Sequence, residues 1–331
     1  MDTNTIISQI GNTPLVKLKQ PSELTGCHIY GKAEYFNPGE SVKDRAALFI
    51  VQDALKRKLI SKGGTIVEGT AGNTGIGLAI VCKEYDLKLK IVIPKTQSIE
   101  KKETLRKLGA ELIEVEAVPY ANPKNYIKQS KQIAEDLNKT NSNGVYWANQ
   151  FDNIVNSEAH IQSTAEEIWS QTAGTVDGFT CSVGTGGTLA GVSIGLKNKK
   201  KNIKIALSDP MGSALYSHLK NNKLESTGSS ITEGIGNGRI TKNFDKALID
   251  DAFQTNDIEA LNLVYDLIEN QKIVLGGSSG INIAGAIKLA KKMGPGKTIV
   301  TILCDHGKRY ASKIFNKEFL KSKNLPIPRW L

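Results

Sequence analysis

The chain has 331 residues, is 40% hydrophobic and carries a formal net charge of +10, from 43 Lys+Arg against 33 Asp+Glu. That length supports a buried core of two-domain size and excludes a small stapled module. The basic residues are spread out, and their densest cluster, Lys197, Lys199, Lys200, Lys201 and Lys204, has no interleaved aromatics, which argues against a single-strand nucleic-acid platform.

In chain order, the first residues, Met1 to Thr5, show no basic stretch running into an apolar one, so no secretory leader is expected. No apolar run reaches the ~18 residues of a membrane span. The four cysteines, Cys27, Cys82, Cys181 and Cys304, form no C-x-x-C pair, so neither a disulfide framework nor a metal site is expected. A reducing, cytoplasmic setting follows as the expectation. Short β-branched runs at 65–67, 90–93, 111–115, 178–183, 204–208 and 298–303 read as strands. Helical patterns lie between them, at 44–56, 75–85, 99–108, 124–137, 156–171, 188–197, 258–269 and 280–292. This alternation predicts an α/β fold with mainly parallel sheets covered by helices on both faces. The Asn/Lys-rich stretch 138–144 reads as a surface loop and domain seam.

Three glycine-rich loops join strand to helix. The first, 68–75, sets Thr70, Asn73 and Thr74 beside its glycines, a composition that suits a carboxylate at a helix N-terminus or a plain N-capping turn with Asn73 or Thr74 as cap. The second, 181–191, holds four glycines with Thr185 and Thr188, which favours a phosphate cradle over a simple turn. It lacks the dinucleotide fingerprint, because Leu189 occupies the third glycine position after Gly184 and Gly186. The stretch Gly296-Lys297-Thr298 lacks the first glycine of a P-loop, since residue 291 is Lys. A nucleotide-dependent oxidoreductase on a Rossmann-like sheet, the reading from a different class, therefore loses its best motifs. A single phosphate on a small cofactor fits better. The third loop, 275–282, opens a helix with Ser278 and Ser279 as candidate caps.

Lys43 follows a Pro38-Gly39 turn, with Ser41 as the expected N-cap, and falls in the first turn of a helix. A cation is disfavoured there, and the same position favours a neutral, nucleophilic amine. By itself this is one more lysine in a lysine-rich chain.

Taken together, the motifs resemble the cysteine synthase and cystathionine β-synthase family of pyridoxal-phosphate enzymes, of the tryptophan-synthase-β-like fold type. Ile10-Gly-Asn-Thr-Pro-Leu15, Asn37-Pro38 with Ser41-Val-Lys-Asp-Arg45, Thr70-Ala-Gly-Asn-Thr-Gly75, Gln150-Phe-Asp-Asn153, Gly184-Thr-Gly-Gly-Thr188 and Gly277-Ser-Ser-Gly280 come in family order across nearly the whole chain. The nearest likeness within the group is to bacterial-type cysteine synthases. The resemblance implies two domains with the cofactor in the cleft between them: a larger one from 1–35 and 151–331, and a smaller mobile one, 36–150. It implies that Lys43 holds pyridoxal 5'-phosphate as a Schiff base and moves the substrate's α-proton. Asn73 would meet the ring hydroxyl, Gly184, Thr185, Gly186, Gly187 and Thr188 the phosphate, and Ser278 the ring nitrogen. Thr70, Ala71, Gly72, Asn73, Thr74 and Gln150 would surround the substrate carboxylate, with Gly236 at the mouth. A neutral hydroxyl at the ring nitrogen makes a weaker electron sink, which suits β-elimination. The implied reaction joins O-acetylserine and sulfide into cysteine and acetate through an aminoacrylate. The alternatives are cystathionine β-synthase-type condensation of serine with homocysteine, or use of O-phosphoserine. The implied partners are a second copy of the chain, as a homodimer, and a serine acetyltransferase. Two positions depart from the family pattern: Ala71 stands for a serine, and His306 stands where relatives carry serine, either titrating beside the cofactor or pointing away as ordinary packing; Arg239, after Gly234–Gly238, is read as facing an anionic leaving group or as an exposed or structural arginine.

Overall fold

Alternating strands and helices build two sheets. The structure, a computed structural model, describes residues 5–331; Met1–Asn4, part of the segment read for a leader and of the 1–35 unit, lie outside the described residues. The strands are β1 (Leu15–Lys17), β2 (His28–Ala33), β3 (Thr65–Gly69), β4 (Lys88–Pro94), β5 (Glu111–Val115), β6 (Val145–Trp147), β7 (Gly178–Cys181), β8 (Lys204–Pro210), β9 (Asp251–Thr255) and β10 (Thr298–Leu303). Six form one sheet in the order β1-β2-β10-β7-β8-β9, and four form a second in the order β5-β4-β3-β6. Every pairing is parallel except β1 with β2. The larger sheet is therefore closed by chain from both ends of the sequence, with the smaller sheet inserted between.

The central strands are buried along their whole length, at Thr65–Gly69, Gly178–Cys181 and Thr298–Leu303. This is why they read as continuous β-branched runs rather than alternating ones. Among the described residues four apolar clusters result, two of which pack the helices that carry Lys43, Asn73 and Gly187. One packs the helices Lys43–Lys56 and Asn73–Glu84 on the small sheet through Ile50, Ile66, Leu78 and Ile91. The other packs the helix Gly187–Lys199 on the large sheet through Phe179, Leu189, Ile205 and Val300. Each such side chain contributes ~1.5–3 kcal/mol on burial.

Four strands escaped the sequence pattern. β1 and β6 have three residues each, and β2 and β9 mix polar with apolar residues. Neighbours define them: β2 runs in register with β10 from His28↔Thr298 to Ala33↔Leu303. The expected helix over 156–171 is real but interrupted, with a π-helical turn, His160–Ala165, between Val155–Ala159 and Glu166–Gln171.

Candidate active site

Four helix starts converge on one cavity, and two of them follow directly from strands. The chain leaves β3 through 70–72 into the helix Asn73–Glu84, and leaves β7 through 182–186 into Gly187–Lys199. Lys43 is the first residue of its helix, and Ser278 is the second residue of the helix Gly277–Met293. Lys43, Thr70, Ala71, Asn73, Thr74, Gln150, Gly184, Thr185, Gly236, Ser278 and Cys304 all line a cavity of about 700 Å3. A smaller recess is lined by Lys43 together with Gly184, Thr185, Gly186 and Thr188. Two predicted residues stand back from both. Gly187 sits where a Cβ would run into Asn156, and Gly72, at φ 128°, sits where a Cβ would lie 2.7 Å from Lys101 Cδ.

The N-terminal motifs aim Lys43. The Val42 N–H donates to Cys304 O at 2.9 Å, which ties the helix start to the end of β10. Behind it, Arg45 is almost fully buried and donates to Glu34 at 2.7 and 2.8 Å and to Glu167 at 2.6 and 2.8 Å. Glu34 also accepts from Thr13 Oγ1 and Asn37 Nδ2, each at 2.8 Å, and Asn37 Oδ1 accepts from the Gly11 N–H at 2.8 Å. The opening motif thus serves as a clamp on the lysine's helix. With this many donors around it, chiefly the Arg45 charge working against burial, the Glu34 carboxyl is held down to about 2. Ser41 is not the cap: Val42 holds that position, and Ser41 Oγ accepts the Lys43 N–H at 3.3 Å. The Lys43 ammonium has neither a hydrogen bond nor an ion pair among the described residues.

Backbone donors are left free on both sides. The N–H groups of Thr185 and Gly186 find no acceptor among the described residues, nor does that of Thr188 in the first helical turn. The same holds for Ala71, Asn73 and Thr74. Neither Asn73 nor Thr74 caps its helix, because Gly72 takes the cap position. Thr70 Oγ1 accepts from the Gly72 N–H at 3.1 Å, and Thr74 donates to Gln150 Oε1 at 2.5 Å. The Gln150 N–H donates at 3.3 Å to Glu68, whose carboxyl burial pushes up to about 8. Asn73 is held at both ends, donating to Asp305 and accepting from Arg309, each at 2.7 Å.

Several contributors carried no sequence signal. His160 links Thr164 Oγ1, at 2.8 Å, to Thr188 Oγ1, at 3.1 Å; burial lowers its imidazole to about 3, so it is a neutral support for the glycine loop. Asn156 donates to Thr185 Oγ1 at 3.0 Å. The Cys304 thiol lines the cavity, and burial pushes it up to about 11. His306 lies outside the cavity, where its Nδ1 accepts from the Lys308 N–H at 3.1 Å. Arg239 does line the cavity and is paired with Asp152.

The sequence compared with known proteins agrees with this geometry. The family model described as pyridoxal-phosphate-dependent enzyme matches residues 6–305. The chain belongs to this family. It is 51% identical to cysteine synthase 1 of Neurospora crassa over 96% of this chain and 84% of that relative. It is 49% identical to cysteine synthase 1 of Emericella nidulans over 99% and 89%. Among solved structures it is similar to an O-acetylserine-dependent cystathionine β-synthase from Helicobacter pylori, with a TM-score of 0.85 and 32% identity over 95% of this chain and 98% of the other. The donor set fits the family's cofactor: an unpaired amine on Lys43 borders the same recess as the unsatisfied N–H groups of Thr185, Gly186 and Thr188, suited to an aldehyde and a phosphate respectively. Among the described residues no helix is long and apolar enough to cross a membrane, and no acidic, His or Cys cluster has the makings of a metal site.

Proposed function

We propose that the protein makes L-cysteine and acetate from O-acetyl-L-serine and sulfide, with pyridoxal phosphate held between its two sheets. The observation that carries this is the recess shared by the free Lys43 amine and the unsatisfied donors of the 184–188 loop. The relatives' names and the H. pylori neighbour support the reaction class. When bound, the cofactor supplies an electron-withdrawing ring that eases loss of a leaving group from the amino acid's β-carbon. Lys43 holds the cofactor through its amine, takes the proton from the substrate's α-carbon and later returns it. Gly184, Thr185, Gly186 and Thr188 hold the phosphate through backbone and hydroxyl donors, with Gly187 giving the close packing behind them. Ser278 meets the ring nitrogen with a neutral hydroxyl, and Asn73 orients the ring from its fixed position between Asp305 and Arg309.

The substrate carboxylate binds to the free N–H groups of the 70–74 loop, with the Thr70 hydroxyl and the Gln150 amide. Ala71 supplies a backbone donor only, and Gly72 and Gly236 shape the walls. The segment 36–150, built on the small sheet, is the smaller mobile domain, and 1–35 with 151–331 is the larger one. A homodimer in the cytoplasm, open to a serine acetyltransferase, completes the reading; sedimentation and cell fractionation check it.

Purified holoenzyme is expected to show the visible absorbance of lysine-bound cofactor and to lose it on borohydride reduction. Lys43→Ala is expected to lose the band and turnover while keeping its far-UV dichroism and unfolding midpoint. A colourless protein, or a Lys43→Ala variant with wild-type turnover, would end this reading.

A further inference from the structure

Among the described residues three cationic side chains line the cavity, Lys43, Lys101 and Arg239, and of these only Lys43 has no hydrogen-bond or ion-pair partner. Lys101 is paired with Glu233 at 2.6 Å, and Lys313 reaches the same carboxylate. Arg239 is held more completely. Its Nη1 and Nη2 donate to the two oxygens of Asp152 at 3.1 and 3.0 Å. Its guanidinium lies 4.4 Å from the Tyr120 ring centroid and 5.7 Å from that of Phe151. Asp152 is fixed in turn, because its Oδ1 accepts the Lys242 N–H at 2.9 Å. A guanidinium fork that already grips one carboxylate cannot offer the same two parallel donors to a phosphate.

We propose that Asp152 is a specificity-determining residue: by occupying the Arg239 fork, it selects serine donors whose β-leaving group is an uncharged ester over donors whose leaving group is a phosphate dianion. This rests on the β-replacement reading and names the substrate class within it. Sequence alone left Arg239 open to an anionic leaving group or to an exposed or structural role; in the structure it is paired with Asp152. The residue acts through Arg239 and touches none of the reacting atoms.

Asp152→Asn tests this, since the amide oxygen still accepts the Lys242 N–H while the charge and the second acceptor are lost. In the holoenzyme, the ratio of kcat/KM for O-phosphoserine over O-acetylserine should rise by about tenfold or more, the worth of one freed charge-assisted hydrogen bond. Inorganic phosphate, titrated into holoenzyme whose cofactor fills the 184–188 loop, should bind tighter by a similar factor in calorimetry. Both gains should vanish in Asp152→Asn with Arg239→Gln. Asp152→Ser, which also keeps an acceptor for Lys242, should shift both readouts in the same direction if the first variant folds poorly. An unchanged ratio with unchanged phosphate affinity, or gains that survive the loss of Arg239, would overturn the assignment. So would a wild-type preference for O-phosphoserine, which would leave the β-replacement reading intact. If the wild type used neither donor, that reading would fail, and the phosphate titration would still decide the role of Asp152.

Discussion

Gly186→Ala is expected to separate the 184–188 loop from the wall that supports it. Gly186 has φ 90°, where an L-residue is strained by ~1–3 kcal/mol. An added Cβ would also lie 2.5 Å from the Phe244 N and 2.6 Å from its Cα, both backbone atoms that cannot rotate away. Relieving that overlap requires the loop or the 241–244 turn to move, an overpacking cost of ~1–3 kcal/mol. The turn is itself bonded to the loop, through Thr241 Oγ1 to Thr185 O at 2.6 Å and the Phe244 N–H to Thr241 Oγ1 at 3.0 Å. The total is therefore about 2–6 kcal/mol, with weakened cofactor binding as the local consequence. Gly234→Ala is the control: φ is 77°, but no atom lies within 4 Å of the new Cβ, so only the backbone strain applies. Urea unfolding of the two apoproteins, with cofactor titration of each, isolates the overlap. If Gly186→Ala were no more damaging than Gly234→Ala, and bound cofactor as well, the packing argument for this loop would be refuted.

Two further outcomes follow from the buried charges. Glu68 has its carboxyl raised from 4.5 to about 8 by burial, so between those values the folded state holds a proton that the unfolded state releases. Stability then falls as pH rises through that window, by ~1.4 kcal/mol per pH unit from this group. Glu68→Gln should flatten the decline in urea midpoint between pH 5 and 8, and an identical slope would contradict the burial argument. Glu34→Ala strips the buried Arg45 of one of its two carboxylate partners, so a loss of ~3–5 kcal/mol is expected. A change below about 1 kcal/mol in the same unfolding assay would show that Glu167 alone suffices.

The local motifs were legible because each does its work within a few residues of chain. A glycine loop between an apolar strand and a helix presents free N–H groups wherever the fold places it, so 70–74 and 184–188 could be read as anion sites before any contact was known. Lys43 stood out as a candidate by its company of motifs, since one lysine among many carries no signal of its own. The central strands announced themselves because burial on both faces demands unbroken β-branched runs. The neighbour-defined strands, β1, β2, β6 and β9, had no such demand placed on them.

What the tertiary structure decided was pairing across distance. Arg45 meets Glu167, Asn73 meets Asp305 and Arg309, Thr188 meets His160, and Arg239 meets Asp152, all over separations that no sequence period encodes. The chain by itself determined which groups are candidates for the chemistry, because residue type and backbone conformation are local properties. Which of those groups remain free to act was decided by the fold, because a charge or a donor is available only when nothing brought near it has already taken it.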